Sequence, residues 1–445
     1  MNIRKMFCPG NTPRILLFLF FPGICVITTA ACGYTEKNAS ENVLLLFLLL
    51  ILAHRNTLTS ITALLFLFCC ALYAPVGMTY GKINNSFIVA LLQTSADEAA
   101  EFTGMIPVYH FLVSAAILVF MVIFWRTHHC GQRNWLALLL FVLCSVNSWP
   151  LRMVKGAVVG TTDTLREMQR YEQLSQHGAD SWKILPGAPL YDTIVIVTGE
   201  SVRRDYMSVY GYPVPTTPWL NTAPGLFIDG YTSTAASTVP SLSRTLIYDY
   251  EQNPDSGNNV VALAAKAGYS TWWISNQGKP GEHDTRISVI ASDAEHTVFL
   301  KKGSFASRKT DDMQLLQETE RALADTSSPK VIFLHMMGSH PNPCDRLNSW
   351  PNNYQEQFPR KIACYLASIS KLDNFLGQLD GILRRHSRHF AGIFQWLTGI
   401  RTENIPPFNP LINEDNEPVM VFNGEKKVPA DGLKSQPVIL PGKGK

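Results

Sequence analysis

The first third of the chain alternates long apolar segments with short polar ones. Five almost wholly apolar segments come before residue 150, namely 13–32, 42–53, 58–78, 109–125 and 134–150. A membrane-spanning helix needs about 20 mostly apolar residues, so the pattern predicts a transmembrane domain of five helices over residues 1–150, with the second segment short for a span. A signal peptide would account for the first segment only. A helical bundle buried in a soluble protein is the less favoured alternative.

The basic residues between these segments predict an orientation. They are Arg4, Lys5 and Arg14 before the first segment, Arg55 between the second and third, and Arg126 and Arg133 between the fourth and fifth. If the spans alternate, these positions share one side, which the positive-inside rule assigns to the cytoplasm. Everything after residue 150 is then expected outside, which for a bacterial inner membrane means the periplasm. The net charge of +3 is too small to favour a nucleic-acid partner.

The cysteines fit this division of the chain. Seven of the nine lie in or beside the apolar segments, where thiols pack as small apolar groups. Cys344 and Cys364 remain in the outer part. Two such thiols in an oxidising compartment are a natural pair, and we expect a disulfide between them.

The pattern changes after the membrane segments. Residues 151–188 are polar with helical spacing, which predicts a linker helix. Beyond them, helical segments alternate with three short apolar runs, "YDTIVIVTGE", "STWWISNQG" and "KVIFLHMMGSH". This alternation predicts an α/β domain with a mostly parallel sheet, whose functional residues are expected at the carboxyl ends of the strands.

Polar residues follow each of the three predicted strands. They are Glu200 and Ser201 after the first, Asn276 and Gln277 at the end of the second, and His335, Ser339 and His340 at and after the third. A glutamate after a strand is more often solvated than a metal ligand, and a lone histidine in a loop is equally unspecific. The loop 232–246 packs many hydroxyls around one proline. It is either an ordinary loop or the place of a nucleophile at a helix N-terminus, where backbone N–H groups help to bind an anion.

Four motifs together resemble a known family. "GESVRRDYMSVYGYPVPTTP", the hydroxyl-rich loop, "WWISNQG" and "HMMGSHPNPCDR" occur in this order. They resemble the membrane-bound phosphoethanolamine transferases of Gram-negative bacteria, in the alkaline phosphatase and sulfatase superfamily, and most of all the branch that modifies the lipopolysaccharide core. The resemblance implies a periplasmic sulfatase-like domain over 189–402, followed by a tail over 403–445.

The resemblance also implies a reaction. Phosphoethanolamine moves from phosphatidylethanolamine in the membrane, through a covalent phospho-threonine, to a lipopolysaccharide (core or lipid A) or another periplasmic glycolipid. Zinc activates the threonine and neutralises charge on the phosphoryl group. Carried over residue by residue, Glu200 is a zinc ligand, and Thr238 is both the nucleophile and a ligand. Thr234 is the alternative nucleophile, and Ser201 is a neighbour of the site.

The other matched residues concern the substrate and the disulfide. His340 matches a histidine that binds the substrate phosphate. Asn276 and Gln277 match polar residues of the phosphoethanolamine pocket. Cys344 and Cys364 match a disulfide of the family.

The chain departs from the family pattern near its end. The family completes its zinc site with an Asp-His-Gly triplet, and no Asp-His pair occurs anywhere in this sequence. Only His386 and His389 follow the "GSH" motif. The sequence reads as if a block were deleted near residues 389–391, together with a strand, so that the α/β domain is expected to be incomplete. Since tetrahedral zinc wants about four ligands, we expect transfer to be impaired. The alternative is a catalytically inactive, membrane-anchored remnant that at most binds lipid headgroups or partners.

Overall fold

The fold is taken from a computed structural model. It describes residues 14–386 apart from 35–38, 55–56, 84–87, 89–102, 105, 128–134, 147, 175–180, 186–188, 190, 226, 229–232, 235–237, 249–256, 279–285 and 302–309, and after residue 386 it describes 420–422, 427–429, 438 and 440. The chain divides into two compact units. One comprises Met1–Thr94 with Phe102–Arg166, and the other comprises Ser95–Glu101 with Glu167–Lys445.

The first unit is helical. Its helices are α1 (Arg14–Ala31), α2 (Ala39–Ala53), α3 (Thr57–Tyr80), α4 (His110–Thr127), α5 (Trp135–Val146) and α6 (Trp149–Leu174), the last of which continues into the second unit. Each of the five apolar segments forms a helix. Within the described residues, α3 alone is long and apolar enough to cross a membrane, while α5 and the start of α6 pass only as a pair bent by 60°. The number of five spans therefore stays a prediction.

Aromatic and aliphatic side chains form the core of this unit. Phe21, Leu46, Leu67, Phe124 and Trp149 are almost fully buried in one cluster. Many other apolar side chains of the same helices face outward, which suits a lipid environment better than water. The polar segment expected after residue 150 begins within α6, and the domain boundaries given above stay predictions.

The second unit is built on a four-stranded parallel sheet. Its strands are β1 (Thr193–Thr198), β2 (Ser270–Gly278), β3 (His296–Lys301) and β4 (Lys330–His335), in the order β1-β4-β2-β3. The three strands predicted from the sequence are confirmed, and so is their parallel arrangement. β3 was not predicted. A short antiparallel pair, β5 (Met420–Phe422) with β6 (Lys427–Pro429), follows later in the chain.

Helices cover both faces of the sheet, which explains why the strands are continuous apolar runs. The helices are α7 (Thr238–Leu246), α8 (Val260–Lys266), α9 (Arg286–Ser292), α10 (Gln314–Ala324) and α11 (Arg360–Arg385). Ile194 and Ile196 of β1 pack with α7, α8 and α9. Val195, which points to the other face, packs with α10 and α11.

A further cluster surrounds the first half of α11. It joins Tyr206, Tyr212 and Phe358 to apolar residues of that helix. The expected disulfide between Cys344 and Cys364 is confirmed, and it fastens a 3-10 turn to the start of α11. The deletion expected near residues 389–391 lies outside the described residues.

Candidate active site at the carboxyl edge of the sheet

The three predicted strand ends meet at one edge. β4 lies between β1 and β2, and His335 at its end is in register with Thr198 on one side and Ser275 on the other. The polar residues that follow these positions are therefore brought to the same edge of the sheet. This confirms the expected convergence of the strand ends.

The Glu200 carboxylate accepts hydrogen bonds from two hydroxyl groups. Thr238 Oγ1 donates to Glu200 Oε2 at 2.8 Å, and Ser201 Oγ donates to Glu200 Oε1 at 2.7 Å. Thr238 is also the first residue of α7, where backbone N–H groups lack partners within the helix and favour an anion. The Thr234 hydroxyl is directed elsewhere, since it donates to the backbone oxygen of Ser241 at 3.0 Å. The structure thus joins Thr238, and not Thr234, to Glu200.

The loop after β4 rests on the backbone of Glu200. Ser339 N donates to Glu200 O at 2.9 Å. Gly338 has φ +53°, and a Cβ atom at this position would lie 2.6 Å from Glu200 O and 2.8 Å from Glu200 N. Only glycine permits this approach without displacement. The following His340 is half-buried, and its Nδ1 lies 2.9 Å from the backbone oxygen of Pro341.

Asn276 and Gln277 brace neighbouring segments. Asn276 is fully buried, and its Nδ2 donates to Asp312 Oδ1 at 2.8 Å and to Thr310 O at 3.1 Å. Gln277 Nε2 donates to Met336 O at 2.8 Å. The amide nitrogens of both residues are engaged within the protein, and the substrate-binding role expected for the two residues stays a prediction.

His335 contributes no positive charge near neutral pH. Its side chain is almost completely buried and lies edge-on to Trp273, with 5.9 Å between ring centroids. Burial lowers the pKa of its imidazole from 6.5 to about 4. In the part of the chain that the structure describes, its Nε2 has no hydrogen-bond partner, which is consistent with a neutral ring.

The helix α11 holds the loops of the site in place, although nothing in the sequence connected it with the site. The Tyr365 hydroxyl of α11 accepts the N–H of Arg203 at 2.7 Å and donates to Ser201 O at 3.1 Å. These bonds hold Ser201 in its left-handed conformation, φ +54°. One turn later, Ser368 Oγ donates to Ser339 Oγ at 2.8 Å.

The same helix carries two buried charged residues. Lys371 Nζ lies 2.7 Å from Asp311 Oδ1 and donates to Arg346 O at 2.7 Å. Burial raises the pKa of the Asp311 carboxyl, but the hydrogen bonds it accepts, led by that from Lys371, outweigh burial and leave the pKa below its ordinary value. Asp373 accepts two backbone N–H groups of the 219–220 segment, at 2.8 and 2.9 Å. Burial raises the pKa of Asp373 although these bonds oppose the shift. In the sequence, this face of α11 is marked only by the spacing of Tyr365, Ser368 and Lys371, which is equally typical of a solvated helix surface.

The described residues do not complete a zinc site. Glu200 offers a carboxylate and Thr238 a hydroxyl, whereas tetrahedral zinc wants about four ligands. Among the residues that the structure describes, no three His, Cys, Asp or Glu side chains come together as a metal-binding group. His389 lies outside those residues. The donor set of the described residues therefore does not fit zinc.

Comparison with known proteins agrees with this fold. A sulfatase family model matches residues 192–390. The integral membrane protein lipooligosaccharide phosphoethanolamine transferase A from Neisseria meningitidis matches with a TM-score of 0.51 and 16% identity, over 85% of this chain and 80% of that one. At this identity the likeness shows the fold alone. It places the chain in the class of proteins that join a helical N-terminal part to a sulfatase-like fold.

Curated relatives narrow the class to a family. A putative phosphoethanolamine transferase from Haemophilus influenzae is 35% identical over 342 residues, which cover 73% of this chain and 70% of the relative. Phosphoethanolamine transferase OpgE from Escherichia coli is 32% identical over 350 residues, covering 73% of this chain and 66% of the relative. The chain thus spans about two thirds of the length of these relatives. It belongs to the phosphoethanolamine transferase family, and the resemblance drawn from the four motifs is confirmed.

Proposed function

We propose that the chain carries out the first half of a phosphoethanolamine transfer, with Thr238 as the nucleophile. The observation that carries the proposal is the 2.8 Å hydrogen bond from Thr238 Oγ1 to Glu200 Oε2 at the N-terminus of α7. Thr238 Oγ1 forms a bond to phosphorus, the bond from phosphorus to the diacylglycerol oxygen breaks, and the threonine proton passes to Glu200 and then to the diacylglycerol. The phosphoryl oxygens lie against the N–H groups of α7, which favour negative charge.

We further propose that completion of the reaction is impaired in this chain. The sequence contains no Asp-His pair, and among the described residues no three His, Cys, Asp or Glu side chains form a metal-binding group with Glu200. A two-ligand site holds zinc weakly, so a phosphoryl group on Thr238 lacks the charge neutralisation that metal-assisted transfer uses. The same observations favour a second candidate function, which is binding of the phosphatidylethanolamine headgroup without turnover.

The donor and acceptor follow from the family. We propose phosphatidylethanolamine as donor and a lipopolysaccharide-type glycolipid, core or lipid A, as acceptor. The chain would then be a multi-pass protein of the bacterial inner membrane with its second unit in the periplasm.

The test uses the full chain in vesicles that contain labelled phosphatidylethanolamine, with and without zinc. Diacylglycerol release and the mass added to the Thr238 peptide are measured for the native chain, Thr238→Val and Thr234→Val. We expect slow release of at most about one diacylglycerol per chain, with the added mass on Thr238. Thr238→Val should abolish both, whereas Thr234→Val should change neither.

The outcomes separate the two candidates. Added mass on Thr234, or unchanged release in Thr238→Val, contradicts the assignment of the nucleophile. Repeated turnover onto a lipopolysaccharide acceptor contradicts the impairment. Headgroup binding with no release at all replaces transfer by the second candidate function.

A further inference from the structure

We propose that Asp312 is a positioning residue of this site, which sets the geometry of Glu200 and of the loop that carries His340. The inference rests on the proposed function for its consequence in catalysis, but its structural part can be measured without any reaction. Asp312 lies two residues before α10 and was not among the residues singled out from the sequence.

The Asp312 carboxylate binds two strand ends at once. Oδ1 accepts the N–H of Met337 at 2.8 Å and the side-chain Nδ2 of Asn276 at 2.8 Å, while Oδ2 accepts the N–H of Gly338 at 2.8 Å. Hydrogen bonds to an ionised acceptor are shorter and stronger than neutral ones. The carboxylate therefore clamps two consecutive backbone N–H groups after β4 and ties them to the end of β2.

This clamp continues directly to Glu200. Gly338, which Asp312 fixes through its N–H, lies against the Glu200 backbone, and the next residue, Ser339, donates its N–H to Glu200 O at 2.9 Å. Beyond Ser339 the chain reaches His340 within one residue. Movement of the Met337–Gly338 peptide would consequently displace both the backbone of Glu200 and the position of His340.

The segment that carries Asp312 is in turn held by α11. The preceding residue, Asp311, is paired with Lys371 of α11 at 2.7 Å and accepts the N–H of Met313 at 3.0 Å. The two adjacent aspartates thus have separate roles. Asp311 fixes the segment before α10 to α11, and Asp312 fixes the loop after β4 to that segment. Asp312 acts through its neighbours and is not assigned contact with the reacting atoms.

The experiment measures hydrogen exchange in the full chain in detergent, comparing the native protein with Asp312→Asn. Asparagine has one acceptor oxygen instead of two, so at least one of the two backbone bonds is lost. We expect exchange at Gly338 and Ser339 to accelerate by about tenfold or more, while the β4 amides Val331–Leu334 stay unchanged. The matched control is Asp380→Asn, which removes a half-buried carboxylate paired with the exposed Arg384 at 2.8 Å and should change neither segment. Unchanged exchange at Ser339, or equal acceleration in β4, would overturn the proposal, because the second result indicates general destabilisation.

A second measurement tests the consequence for catalysis. In Asp312→Asn, the first-order rate of covalent phosphoryl addition to Thr238 should fall by about 10- to 100-fold, because a misplacement of about 1 Å reduces the rate of the chemical step on this scale. The lipid concentration at half-saturation should stay within about twofold of the native value. Faster exchange at Ser339 with an unchanged rate contradicts the positioning role. If the native chain adds no phosphoryl group, the proposed function fails, and the exchange experiment alone decides whether Asp312 orders the site.

Discussion

Replacing Gly338 with alanine would test whether the contact between the β4 loop and Glu200 determines the geometry of the site. The new Cβ would lie 2.6 Å from Glu200 O and 2.8 Å from Glu200 N. Carbon atoms in ordinary contact are about 3.5 to 4.0 Å from their neighbours, so one of the two segments must move by roughly 1 Å. The displaced backbone carries the carboxylate that accepts the Thr238 hydroxyl.

The matched control is Gly211→Ala. Gly211 also has a positive φ, +94°, but nothing lies within 4 Å of the position that a Cβ atom would take there. Alanine in the left-handed region costs about 1 kcal/mol, and this cost applies to both variants. Overpacking adds about 1 to 3 kcal/mol and applies to Gly338→Ala alone. The difference between the two variants therefore isolates the contact with Glu200.

Pulse proteolysis of the full chain in increasing urea gives the loss of stability, and labelling of Thr238 gives the chemical effect. Gly338→Ala should lose about 2 to 4 kcal/mol in all and slow the labelling by about 100-fold, the scale of a 1 Å misplacement. Gly211→Ala should lose about 1 kcal/mol and label normally. Equal stability and equal labelling in the two variants would refute the reasoning, since the Glu200 backbone would then tolerate the added methyl group.

Three further predictions concern stability, each measured by the urea midpoint of proteolysis. The pKa of His335 is about 4 in the folded chain and 6.5 is its ordinary value, so the stability that the neutral ring contributes is present above pH 6.5 and is lost as the pH falls toward 4. We expect the free energy of unfolding to fall by about 2 kcal/mol between pH 7 and pH 5, and His335→Phe should remove this dependence on pH. A parallel loss in both proteins would contradict the assignment. Lys371→Met leaves the largely buried Asp311 carboxylate without its partner and should lower the free energy of unfolding by about 3 kcal/mol. Arg385→Met removes an exposed ion pair and should lower it by less than about 1 kcal/mol; similar losses would show that burial of the pair has no effect. Replacing Cys344 and Cys364 by serine opens a loop with a sequence separation of 20 and should cost about 3 kcal/mol, so a midpoint equal to that of the native chain would argue against a stabilising disulfide.

The sheet could be predicted from the sequence because three of its strands are continuous apolar runs. β1, β2 and β4 are adjacent in the sheet, and helices cover both of their faces. Such burial requires apolar side chains at every position, and this leaves a clear pattern. β3 escaped prediction because, unlike β1 at the other edge of the four described strands, it is only partly buried, so its pattern is weaker.

The pairing within the site could be predicted only in part. The motifs indicated Glu200 and Thr238, and the structure joins them by a hydrogen bond. The supporting contacts could not be predicted, because they connect residues far apart in the chain: Asp312 accepts a bond from Asn276, 36 residues away, and Tyr365 binds the N–H of a residue 162 positions earlier. Polar residues on a helix normally face water, and a sequence alone does not reveal which of them turn inward.

The dependence of these loops on α11 has a consequence for biosynthesis. Tyr365 and Ser201 are 164 residues apart, and a ribosome adds about 5 to 20 residues per second, so roughly 8 to 33 seconds separate the synthesis of the two partners. During this interval the segment that contains Glu200 has been made but has no helix to hold it. The nascent chain therefore exposes its future site to proteases and chaperones until the helix arrives, and slow translation of the region before residue 360 would lengthen that exposure.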